Sequence, residues 1–176
     1  MARVTEEQMK KDEMKVIKQL SVNANDSLDK IAKKCGFSRQ KVWRIIKNLE
    51  KNHIIWGYHA VTDNEKLNLN SYFLLIKASV KPIKNVADTI IKKDIAKLAD
   101  NMDIIVECSS YTNGKYDWVI IFFANDTKHA KRFCNLLVRT FPDFITDLTL
   151  LDELFAFRRC GFLNPDMDKF REFDKE

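Results

Sequence analysis

Residues 27–52, SLDKIAKKCGFSRQKVWRIIKNLEKN, leave the chain little choice of local fold. Ser27 precedes a short run in which Leu28, Ile31 and Ala32 share one helical face, and serine is a favoured N-cap. Gly36 follows, supplying the left-handed backbone that lets a helix end in a tight turn. Ser38 caps a second run, to about Asn52, whose Val42, Ile45, Ile46 and Leu49 form one stripe. Two helices joined by so short a turn cross steeply, and both need a further helix over their apolar faces. Residues 6–20 supply it: Met9, Val16, Ile17 and Leu20 recur at roughly helical spacing, with charges between them. Asn23 to Asp26 separate the first helix from the second with turn-forming residues. The extended segment IIWGYHAVT (54–62) reads as a β-like appendage, which completes a winged helix-turn-helix.

The other side of the third helix carries Gln40, Trp43, Arg44 and Lys47, with Arg39 and Lys41 near its start. A recognition helix needs this arrangement, because it lies in the major groove with its first turns nearest the base edges. Arg39, Gln40 and Arg44 are expected to read bases. Arginine offers two donors to guanine, and glutamine pairs with adenine in the same two-point way. Lys41 and Lys47, with Lys33 and Lys34 of the second helix, are expected to meet phosphates. Ser38, at the head of the helix, belongs to the same DNA-facing set. Trp43 has two readings. It presses on thymine methyls or the sugar–phosphate wall, or it packs against the wing or a partner subunit. Charge supports the DNA reading as a whole. Residues 1–62 hold 13 Lys and Arg against 7 Asp and Glu, whereas residues 63–176 hold 17 against 18. A basic first third facing a polyanion, double-stranded DNA, and a neutral remainder with another task follow from that split.

The remainder reads as an α+β domain. A polar connector, residues 63–70, leads into a strand, SYFLLIKASV (71–80), ended by Pro82. Asn85 to Ala99 carry a helical stripe. MDIIVECSSY (102–111) reads as a strand with Ile104, Val106 and Cys108 on one face. Asn113-Gly114 signals a hairpin into KYDWVIIFF (115–123), which is apolar on both faces. Asp126 or Thr127 caps a helix to about Thr140, and FITDLTLLDELFAF (144–157) is the last strand. The order βαββαβ is a ferredoxin-like, split-βαβ arrangement: one antiparallel sheet with both helices on one face. The other face is apolar too and needs cover, for which a second copy is the natural source. The expected map is therefore 1–62 winged helix-turn-helix, 63–70 linker, 71–163 sheet domain and 164–176 an acidic tail. The tail either forms a short amphipathic helix with Met167, Phe170 and Phe173 on one side or frays. An intersubunit contact is its expected role.

Other function classes find little support. The cysteines (Cys35, Cys108, Cys134 and Cys160) form no C-x-x-C pair and no zinc-type cluster, so no metal site is expected. Their usage suits a reducing cytoplasm. The N-terminus is too acidic and polar for a secretory signal, and WVIIFFA (118–124) is too short to span a membrane. His53 and His59 fall in the wing and His129 at the head of a helix, none in a local catalytic motif, so no catalytic residue is assigned.

DEMKVIKQL (12–20), SLDKIAKKCGFS (27–38), VWRIIKNLE (42–50) and IIWGYHAVTD (54–63) together resemble the DNA-binding domain of Lrp/AsnC transcriptional regulators. GKYDW (114–118) is similar to that family's Gly-x-Tyr-Asp signature, and Thr146 and Thr149 sit where the family has threonines opening its last strand. The likeness spans roughly residues 10–160. It implies a homodimer built through facing βαββαβ sheets, further assembly to tetramers or octamers, and a small effector, commonly an amino acid, between those domains. On the matching positions the effector residues are Gly114, Tyr116, Asp117 and Thr149. Asp117 holds an ammonium group in one reading. In the other, Gly114 only makes the turn and Asp117 a structural hydrogen bond. The chain departs from the family at Pro142-Asp143-Phe144, where a Pro-Gly-Val turn is usual. Proteins of the same architecture include the sirohaem decarboxylases, so an enzyme is the rival reading, and an architectural DNA binder without effector is another. A ligand-sensing module that has lost DNA binding conflicts with the charge split. The reading is a cytoplasmic, sequence-specific regulator that binds a pseudo-palindrome as a dimer and needs no cofactor.

Overall fold

The computed structural model describes residues 5–81 and 86–173. By its contacts the chain divides into two compact units, one made of residues up to Val61 with those from Phe157 onward, the other of Thr62–Ala156.

The first unit contains the three helices α1 (Glu6–Val22), α2 (Leu28–Cys35) and α3 (Arg39–Lys51). Each starts on a hydroxyl that accepts a free backbone N–H of the first turn: Thr5 from Gln8, Ser27 from Lys30 and Ser38 from Lys41. Gly36 ends α2 at φ 70, ψ 34, as the turn required. Val16, Ile31, Ala32, Val42 and Ile46 form the buried centre, one or two from each helix. The appendage after α3 differs from expectation. Residues 56–62 have no ladder partner among the described residues, and Trp56 is 94% exposed. A lone extended segment cannot satisfy its backbone as a sheet does, however β-prone its side chains.

A small hairpin in this unit was not anticipated. β5 (Arg158–Arg159) pairs with β6 (Phe162–Leu163). Cys160 (φ 46) and Gly161 (φ 86) both take left-handed backbone, the geometry of a two-residue type I′ turn. Cysteine is not a usual first residue of that turn, so the sequence gives no clear signal. The Arg158 guanidinium donates to the Gly161 carbonyl at 2.9 Å. The tail then forms a 3-10 turn, Met167–Glu172, rather than an α-helix. Phe170 packs on Phe157 and Phe173, with ring centroids 4.7 and 6.1 Å away.

The second unit is a four-stranded antiparallel sheet in the order β2-β3-β1-β4, built from β1 (Asn70–Ala78), β2 (Ile105–Tyr111), β3 (Trp118–Ala124) and β4 (Ile145–Asp152). Between strands lie α4 (Val86–Lys92), α5 (Ile95–Asp100) and α6 (Thr127–Thr140). Tyr72, Leu74 and Ile76 of β1 and Trp118, Ile120 and Phe122 of β3 are buried with Phe133 and Leu137 of α6. Phe122 sits between Tyr72 (5.4 Å) and Phe133 (5.0 Å), and Trp118 donates its indole N–H to Ser109 at 2.8 Å.

Several local expectations are corrected. The single helix from Asn85 to Ala99 is two, because the Asp94 carboxylate accepts the Ala96 N–H and starts α5 afresh. Its expected start at Asn85, and the Pro82 stop, lie outside the described residues. Cys108 does not share a face with Ile104 and Val106. The β2–β3 register shifts between Val106 and Cys108, leaving Glu107 as an extra residue, and a one-residue slip reverses every side chain beyond it. Asn113-Gly114 does lie in the hairpin between β2 and β3, as expected, but the connection is longer than those two residues. The loop spans 112–117, where Thr112 donates its N–H to the Asp117 carbonyl and its hydroxyl to the Tyr116 carbonyl. The last strand stops at Asp152 rather than running to Phe157.

The sheet face away from the helices carries rows defined by the register. Cys108, Ile121, Phe73 and Leu151 stand in one row across all four strands, and Ser110, Val119, Leu75 and Thr149 in the next. On the helix-facing side the residues of the central strands β1 and β3 are buried, whereas on this face Phe73, Leu75, Val119 and Ile121 are only half-buried and Leu151 is exposed.

Candidate nucleic-acid interface

Helical spacing puts Gln40, Arg44 and Lys47 in the centre of the outward face of α3, and all three are exposed. Trp43 flanks them with 51% of its surface open and has no ring or hydrogen-bond partner among the described residues. Arg44 and Lys33 are exposed and have no acidic partner among the described residues. Arg39 stands 3.8 Å from Asp29, with both side chains mostly in solvent, a pair of small energetic weight.

The other cations carry carboxylates of their own. Lys30 and Lys34 both reach Asp26, at 2.6 and 2.8 Å, and the Asp26 side chain is almost fully buried. Those two hydrogen bonds hold the Asp26 carboxyl below its ordinary range. Lys47 lies 2.8 Å from Glu50, which also accepts the Tyr58 hydroxyl at 3.2 Å. The Lys47 ammonium lowers the Glu50 pKa, while burial and then Glu50 itself raise that of Tyr58.

Lys41 does not stand with the phosphate-facing set. Its ammonium bonds the Asp12 carboxylate at 2.6 Å and lies over the Phe37 ring, 4.0 Å from the centroid. Asp12 is 4% exposed and also accepts the Gln8 amide at 2.9 Å. A buried carboxylate needs its partner more than a distant phosphate does, so Lys41 belongs to the helix packing. The hydrogen bond from Lys41 holds the Asp12 carboxyl below its usual range. That stabilisation is complete above about pH 4, the ordinary aspartate value, and is lost as pH falls through the depressed one. Lys41→Met leaves the buried carboxylate with the Gln8 amide as its hydrogen-bond donor and Lys15 as the nearby cation. It is expected to lower stability by about 2 kcal/mol at pH 7, with the deficit shrinking in thermal melts toward pH 3. A deficit that grows on acidification would contradict the linkage.

Residues 13–55 match the family model described as winged helix-turn-helix DNA-binding. Over 121 residues the chain is 29% identical to the HTH-type transcriptional regulator Ptr1 of Methanocaldococcus jannaschii, covering 69% of this chain and 76% of Ptr1. Its fold is similar to that of the transcriptional regulator NMB0573 of Neisseria meningitidis, solved as an L-Met complex. There the TM-score is 0.63 and identity 17%, with 90% of this chain and 97% of that chain covered. An AsnC family regulator from Agrobacterium tumefaciens is also similar, with TM-score 0.61, identity 18% and coverage of 88% and 96%. Residues 13–55 are thus a winged helix-turn-helix DNA-binding domain, in a chain that has the fold of the Lrp/AsnC regulators.

Within this fold the four effector candidates do not converge closely. Asp117 is committed to the sheet: its N–H donates to the Ile76 carbonyl, and its carboxylate accepts the Ala78 N–H at 2.8 Å. That contact braces β1 where its register against β4 shifts, between Lys77 and Ala78. Gly114 and Tyr116 share the 112–117 loop with it. Thr149 lies opposite Leu75 on β4, with β1 between it and β3. Ser38 serves as the N-cap of α3. Cys134 is a core residue whose thiol burial pushes up to about 11.

Sequence reasoning missed Asp12, Glu50 and Tyr58. Asp12 did leave a signal, since it falls between Met9 and Val16 on the apolar stripe of α1. A charge on such a stripe calls for a buried partner. Tyr58 left none, because its distance from Glu50 depends on how the chain leaves α3.

Proposed function

We propose that this protein is a transcriptional regulator that reads a pseudo-palindromic DNA site as a dimer, with one α3 in each of two major grooves a helical turn apart. The observation that carries the reading is the outward face of α3. It offers an arginine fork with no acidic partner among the described residues and an amide, Arg44 and Gln40, beside cations that suit phosphates. Arg39 and Trp43 extend that face, and Lys33, Lys34 and Lys47 flank it. A second copy placed sheet to sheet covers the rows centred on Phe73 and Leu75, and larger assemblies extend from that dimer. The test is a binding selection on random duplex DNA over a salt series. An enriched palindrome supports the reading, and salt-sensitive binding without enrichment points to an architectural protein instead.

An amino-acid effector of the kind seen in the L-Met complex of NMB0573 extends this reading. With its carboxylate given to Ala78, Asp117 serves it by shaping the hairpin rather than as a free ligand. A selection repeated with single amino acids tests this, and an unchanged site and affinity with all of them removes the effector. The reading is of a non-enzymatic, cytoplasmic protein. No described helix is long and apolar enough to cross a membrane, and no described group of His, Cys, Asp and Glu is arranged to hold a metal.

Cations with and without internal carboxylates separate in salt titrations. Lys33→Ala is expected to lower the slope of log affinity against log salt by about 1. Lys47→Ala should change it by clearly less, because in the free protein Glu50 already acts as its counterion. Equal changes would show that the Lys47–Glu50 pair does not persist in solution.

A further inference from the structure

We infer that Asp12, on the first helix and away from the groove-facing side chains, is a positioning residue that sets sequence preference by fixing the rotation of the recognition helix. The inference rests on the DNA-reading proposal above and adds a determinant to it.

The apolar side of α3 does not fix rotation by itself. Val42, Ile46 and Leu49 are smooth hydrophobic groups, and such a stripe tolerates small rolls because dispersion is not directional. Two polar contacts from neighbouring residues of α1 are directional. Asp12 takes the Lys41 ammonium at 2.6 Å, and Glu13 takes the Asn48 amide at 3.1 Å. Lys41 and Asn48 are seven residues apart on α3, so they lie on one stripe about two turns apart. That stripe runs along the shoulder between the buried side and the side bearing Arg44.

The two contacts differ in weight. Glu13 and Asn48 meet at the surface, where a hydrogen bond is readily exchanged for water. Asp12 is buried, its second oxygen is held by Gln8, and the ammonium that satisfies it also lies against Phe37 in the turn before α3. It therefore ties α1, the turn and α3 together at the end of α3 that faces base edges. A roll of about 10° moves a group at the outer radius of a helix, about 5–6 Å, by about 1 Å. Phosphate contacts absorb such a shift, because long lysines follow it. A bidentate fork on a base edge does not.

The test compares the intact wild-type protein with Asp12→Asn, Lys41→Met and Lys41→Arg on the selected DNA site and on random duplex, with melting followed in parallel. Asp12→Asn and Lys41→Met are expected to reduce the ratio of specific to random affinity about tenfold, leaving random binding and its salt slope unchanged. Lys41→Arg, which keeps a cation on Asp12, should restore most of the ratio. Lower melting temperatures with an unchanged ratio in Lys41→Met would overturn the inference and leave a purely structural pair. If Asp12→Asn fails to fold, the two Lys41 variants still decide. Wild-type protein that selects no sequence overturns the DNA-reading proposal and this inference together, which is a different result from a wild type that selects a site no variant disturbs.

Discussion

Replacing Arg44 with alanine is expected to cost the preferred DNA site about 1–3 kcal/mol, roughly 5- to 150-fold in affinity, while random DNA loses only a few-fold. Arg44 lies in the second turn of α3, on the face set by the caps at Ser38 and by the buried Val42, Ile46 and Leu49. It is exposed and has no carboxylate to abandon among the described residues, unlike Lys30, Lys34 and Lys47. Its fork is therefore free for a base edge without first breaking a contact. Binding measured on both DNAs at one salt concentration checks this. Equal losses on both would make Arg44 a phosphate ligand.

The second large effect concerns the open sheet face. Leu75 is central in it, opposite Val119 on one side and Thr149 on the other. Leu75→Glu sets a charge in the middle of the proposed dimer contact, where it would be buried without a partner. Sedimentation should show a monomer. Affinity for the two-half-site DNA should fall by about 100-fold or more, because each half then binds alone. Folding should survive, since the sheet's own core lies on the opposite side, at Tyr72, Leu74 and Ile76. A variant that stays dimeric would move the interface elsewhere. A variant that becomes monomeric yet keeps its DNA affinity would sink the palindrome reading.

Local chemistry made the helix-turn-helix legible. Ser27, Gly36 and Ser38 each specify a backbone state, and the apolar stripes between them leave one packing. The four strands were legible for a similar reason, through runs of β-branched and aromatic residues bounded by turns. What escaped notice was register and partnership. The extra Glu107 in β2 reverses Cys108 without changing the hydrophobic pattern around it. The segment after α3 has the composition of a strand, but a strand also needs a neighbour, which composition does not supply. At the site, residue types on α3 pointed to DNA, yet they did not separate Lys41 from Lys47. Only the fold shows that Lys41 faces a carboxylate on α1, 29 residues earlier. The Cys160-Gly161 hairpin was hidden by an unusual turn residue.

The three tryptophans occupy three different surroundings. Trp118 is sealed in the sheet core at 3% exposure, Trp43 stands half-open on α3, and Trp56 is almost entirely in water. Their fluorescence therefore divides into a protected blue component and two red, quenchable ones. Loss of the blue component reports opening of the sheet unit. Dimming or a blue shift confined to the red emission reports what reaches α3. With Trp56→Phe as the reference protein, the red component comes from Trp43 alone and follows the proposed DNA docking, without any label attached to the protein.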